Sequence, residues 1–130
     1  RYPYVQHMTW SLDARIPLLI VGDAASLTSA LAAGTPAAVL AEAPPPALPA
    51  GAVTMVAFPS SGPAHAAACA CCAGRSPAAT ALDALFQARV RGACTWFDRV
   101  VALAASKTAR DQIVAALRDD AVTAARFRLG

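Results

Sequence analysis

Residues 16–23 read IPLLIVGD, and this short stretch sets the fold class. An unbroken run of large aliphatic side chains cannot alternate between a wet and a dry face. It fits a strand buried on both sides, the environment of a parallel sheet covered by helices. Gly22 ends the run, and Asp23 stands where a side-chain oxygen can cap the first amides of a helix. Leu27, Ala30 and Leu31 then recur at helical spacing, with Gly34 as the stop.

Outward from this unit the pattern repeats. Residues 35–41 (TPAAVLA), 52–58 (AVTMVAF) and 98–103 (DRVVAL) are three more short apolar strands. Residues 44–49 are a proline-rich connection that lacks the amides for pairing and belongs on the surface. Ser76-Pro77 opens a helix with Leu82, Leu85, Phe86 and Val90 as its apolar stripe, and Gly92 closes it. Residues 108–117 form the next helix, with Ile113, Val114 and Leu117 inward and Asp111 in the first turn, where negative charge suits the dipole. Asp119-Asp120 reads as a turn, and residues 124–129 as a short extended tail. The alternation predicts an α/β fold with a short, mostly parallel sheet flanked by helices. It needs one domain, residues 8–130. Residues 1–7 are set aside, because His7-Met8 has the form of a junction between a purification tag and a start codon.

Hydrophobic residues make up 57% of the 130, but many are alanine, and aromatics are only 6%. The core is therefore expected to rest on Leu18, Ile20, Leu31, Leu82, Phe86, Val100, Ile113, Leu117 and Phe127. The net charge of +3 is dispersed over Arg75, Arg89, Arg91, Arg99, Arg110 and Arg118, and only Arg126 and Arg128 lie close together. Nucleic-acid binding calls for a clustered footprint and is not expected. The apolar region 16–56 is broken by Asp23, Glu42 and prolines before it reaches the roughly 20 residues of a membrane span. No export signal is visible at the front, so reduced thiols and a cytoplasmic location are expected.

The densest chemical signal is Cys69-Ala70-Cys71-Cys72. Three thiols within four residues are not the dispersed framework of a disulfide-stapled protein. Thiolates are soft ligands for zinc and other late metals, and three on one loop supply most of a tetrahedral shell. His65, four residues upstream, or Cys94, elsewhere in the chain, offers a fourth ligand; water or a partner protein is the alternative. On spacing alone, small buried residues among alanines fit as well. Cys69 and Cys72 also satisfy the dithiol redox spacing, but the helix such a site needs starts only after Arg75.

From Cys69 onward the order of motifs resembles the CobW-type metal-handling GTPases. Cys69-Ala70-Cys71-Cys72 stands where that family has C-x-C-C, a helix follows, and Phe97-Asp98-Arg99-Val100-Val101 matches its F-D-R-V-V strand. Asp119-Asp120-Ala121-Val122 and Arg126-Phe127-Arg128-Leu129 are similar to its following segment, and Ile16-Pro17-Leu18-Leu19-Ile20 to its first strand. The resemblance implies a P-loop-NTPase-like three-layer sandwich. It also implies zinc or cobalt at Cys69, Cys71 and Cys72, with His65 as a further candidate.

The nucleotide machinery departs from that pattern. A P-loop needs glycines for backbone approach, a lysine for charge and a hydroxyl for magnesium. After the first strand the chain has Gly22-Asp23-Ala24-Ala25-Ser26-Leu27-Thr28, with no lysine and a carboxylate in the way. Ala102-Leu103-Ala104-Ala105-Ser106 replaces the family's E-T-T-G, and these residues hold no guanine-reading N-K-x-D. Lys107, the single lysine, is expected to be solvated. The expectation is a non-hydrolysing metal-binding accessory protein with no catalytic residues and no bound nucleotide. The alternative is an interaction or dimerisation module. Because the family's sheet carries further strands, an edge here is expected to need cover from a second copy or a client protein.

Overall fold

The computed structural model describes residues 13–59 and 75–130. The elements run β1 (Ile16–Val21), α1 (Ala24–Ala32), β2 (Ala37–Ala41), β3 (Ala52–Ala57), α2 (Pro77–Arg91), β4 (Arg99–Leu103), α3 (Lys107–Asp119), α4 (Ala121–Arg126) and β5 (Phe127–Leu129). The five strands form one sheet in the order β3-β2-β4-β1-β5, and every pairing is parallel. The sheet is thus wholly parallel rather than mostly so.

The strand order explains the layers. From β1 the chain moves one way across the sheet, and α1 covers one face, where Leu27 and Leu31 pack on Val39 and Val101. From β3 to β4 and from β4 to β5 it moves the other way, and α2 and α3 cover the opposite face. Leu82, Leu85, Ile113 and Phe127 meet Leu18, Leu40 and Val100 there. Right-handed crossovers in opposite directions put helices on opposite faces.

All five residues of β2 are buried, three of them alanine, and Ala102 and Ala104 in and after β4 are fully buried too. The alanines therefore form part of the core, where small side chains on both faces of the central strands let the helix layers sit close. Leu18, Leu31, Leu82, Val100, Ile113 and Phe127 are buried as expected, while Ile20, Phe86 and Leu117 pack on the core from partly exposed positions. Phe58 and Phe97 are buried core members that the sequence reading left out. Val90, placed on the inner stripe of α2, is 52% exposed instead. It belongs to the last turn of α2, whose buried residues all lie between Ala78 and Leu85.

The caps follow the expected residues closely. Ser76 accepts from the Ala79 amide and Pro77 opens α2. Gly92, at φ 71°, closes it with Gly92 N–H on Arg89 O and Ala93 N–H on Ala88 O, the paired closure that a left-handed residue permits. α1 has no basic residue in its last turn. Arg99 of β4 supplies that charge, donating to Ala30 O at 2.8 Å and Thr35 O at 2.9 Å.

The tail differs from the extended segment expected over residues 124–129. Residues 124–126 are helical, and only Phe127–Leu129 is extended. Asp120 ends α3 and caps α4 at once, accepting from the Thr123 amide at 3.0 Å and the Thr123 hydroxyl at 3.2 Å. That double use satisfies Thr123, which is only 2% exposed.

Candidate functional site

In a parallel sheet a ligand crevice opens where neighbouring strands send their helices to opposite faces. Here that point lies between β1 and β4, whose carboxyl ends lead into α1 and α3. Gly22 and Asp23 border it from one side, and Ala105 and Ser106 from the other. A Cβ added at Gly22 would meet nothing within 4 Å, so the backbone borders open space.

Both helix N-termini at this crevice already carry a carboxylate of the chain itself. Asp23 accepts from the Ser26 amide at 2.7 Å. That amide, with lesser help from the Ser26 side chain and the Ala25 amide, holds the Asp23 carboxyl below its ordinary range. At α3, Glu42 reaches across from the end of β2. Its Oε1 accepts from Ala105 N–H at 3.0 Å and Ser106 N–H at 3.1 Å, and its Oε2 accepts from the Ser106 hydroxyl at 2.6 Å. Ser106 Oγ in turn accepts from the Ala109 amide at 3.0 Å. The amides of Ser26, Ala105, Ser106 and Ala109, which an external anion could use, are thereby engaged. Lys107 is paired with Asp111 at 2.6 Å, and its side chain is 81% exposed. Asp111 lies one residue beyond the first turn where it was expected, because α3 begins at Lys107.

A second concavity lies at the β3 edge. Val56, Ala57 and Pro59 on the strand side and Pro77, Thr80, Ala81 and Ala84 on α2 enclose about 260 Å³. All seven are uncharged. Above it, Gln112 of α3 donates to Pro59 O at 3.5 Å and accepts from Ala78 N–H at 2.7 Å, joining the exit of β3 to the start of α2. Arg75 is fastened by a two-pronged pair to Asp120 at 2.9 and 3.2 Å. Burial works to raise the Asp120 carboxyl, but Arg75 and the Thr123 amide and hydroxyl outweigh it and leave it below the usual range.

Cys69, Cys71, Cys72 and His65 lie outside the described residues, as does His7. Cys94 is described: it is a free thiol, half-buried and packed against the core. It follows the C-terminus of α2, whereas Arg75 precedes the N-terminus, and the 15-residue helix itself is about 22 Å long. Among the described residues no group of three His, Cys, Asp or Glu side chains is disposed to hold a metal ion. Sequence reasoning missed Glu42 and Gln112. A carboxylate directly after a fully apolar strand was the available signal for the first; nothing local marks the second.

The arginines are mostly engaged within the fold. Arg126 pairs with Asp83 at 2.6 Å and lies 4.1 Å over the Phe86 ring. Arg89 donates to Phe97 O at 2.9 Å with its guanidinium 3.7 Å over Trp96. Desolvation there lowers its pKa, with Asp98 opposing. Among the described residues no helix is long and apolar enough to cross a membrane.

Fold and crevice together define an α/β domain built on a five-stranded parallel sheet. Comparison with protein-family models, curated proteins and solved structures gives no match. The likeness to CobW-type proteins therefore rests on the motif residues alone.

Proposed function

We propose that this chain is a non-hydrolysing, metal-binding accessory domain, a P-loop-like sandwich that has exchanged triphosphate binding for thiolate chemistry. Zinc or cobalt would be held by Cys69, Cys71 and Cys72, with His65 or a partner's group completing the shell. The observation that carries the nucleotide half of this reading is the pair of internal carboxylates, Asp23 and Glu42, on the two helix N-termini of the crevice. A triphosphate would have to displace both against like charge. The metal half is supported by the spacing of the thiols and by the chemistry of soft donors. Pro59 and Arg75, which flank the segment bearing them, are each tied to the fold through Gln112 and Asp120. The reading sets the protein in the cytoplasm, where thiols stay reduced. It gives no role to nucleic acid, consistent with arginines engaged by carboxylates, carbonyls and rings.

The test is a cobalt(II) titration of reduced protein, followed by zinc competition. One cobalt per chain with thiolate charge-transfer bands is expected, lost when Cys69, Cys71 and Cys72 are all changed to serine and weakened by His65→Ala. Absence of the bands, or an unchanged titration in the triple variant, refutes the metal site. Saturable guanine-nucleotide binding refutes the other half.

A second reading, an interaction module, is favoured by the uncharged concavity beside the β3 edge, whose strand residues are only half-buried. Edge strands left open in this way accept further strands or a covering partner. Solution size across a wide concentration range tests it: self-association supports a homodimer, and a monomer throughout leaves only a client protein.

A further inference from the structure

We draw no further inference here: the strongest candidate, the apolar groove between the β3 edge and the first half of α2, carries nothing because the structure does not show what covers it.

Discussion

At the carboxyl ends of β1 and β4 the chain supplies its own anions to each exposed helix N-terminus, whereas the groove between β3 and α2 is lined, among the described residues, by no charged side chain. The first region is polar and internally satisfied: Asp23 and Glu42 accept from three backbone amides and a hydroxyl between them. The second, among the described residues, is apolar and uncovered. On the proposed reading, a crevice at the expected place in an α/β sheet does not by itself make a ligand site. What matters is whether its donors are still available.

The largest effect should come from beneath the open region. Leu82 is fully buried on the inner face of α2. Leu82→Ala should cost about 2–5 kcal/mol, read as a lower urea midpoint at unchanged slope. A loss below about 1 kcal/mol would mean that the wall of the groove is not anchored to the core as described.

Next is the closed region itself. Glu42→Ala leaves two amides and a hydroxyl at the α3 N-terminus without their acceptor. It should cost roughly 1–3 kcal/mol. Glu42→Gln keeps an acceptor oxygen and should recover part of the loss. Equal losses for both variants would show that charge, rather than hydrogen-bonding capacity, is the stabilising property.

Asp120 gives a smaller, pH-dependent effect. Asp120→Asn keeps the cap on α4 but weakens the pair with Arg75, for about 1 kcal/mol near neutrality in a pair that is still partly wet. The folded-state carboxyl lies below its ordinary value of 3.8. Its contribution is therefore complete above that value and fades as the pH falls through the depressed one. Asp13, lowered to about 2 chiefly by its hydrogen bond from Arg15, and Asp23 and Asp119, also lowered, act in the same direction. Wild type should accordingly lose stability below about pH 4, and the variant should lose it less steeply. Parallel acid profiles would remove Asp120 from the account.

The smallest effect on stability is the sharpest for the open region. Ala84 is exposed on the groove wall. Ala84→Lys should change stability by less than about 0.5 kcal/mol, yet it should shift any dimer towards monomer in sedimentation or scattering. A dimer that tolerates the lysine would be built elsewhere.

Much of the fold was legible because its signals are local. The apolar run of β1, the Asp23 cap and the Ser76-Pro77 and Gly92 boundaries of α2 can be read from adjacent residues. α4 could not be read this way, because Asp119-Asp120 looks like a turn unless one sees that Asp120 serves two helices. The weight of alanine in the core was hidden as well. An alanine shows no preference for inside or outside until Val39 and Leu40 place its strand at the centre of the sheet. The candidate site was legible only as chemistry: the spacing of Cys69, Cys71 and Cys72 names a ligand class, while their positions fall outside the described residues. Glu42 is marked in the sequence only as a carboxylate after an apolar strand, and its partners Ala105 and Ser106 lie more than sixty positions away.

The position of β4 has a consequence for how the protein is made. β1 and β2 follow one another in the chain but share no ladder, because β4 separates them. Until residues 99–103 emerge during synthesis, β2 can pair with β3, but β1 has neither of its partners, β4 and β5. Such a late, long-range insertion is slow compared with local helix formation and leaves apolar strand edges exposed meanwhile. A chain cut short of Arg99 would hold one two-stranded ladder and an unpartnered β1 rather than a smaller domain.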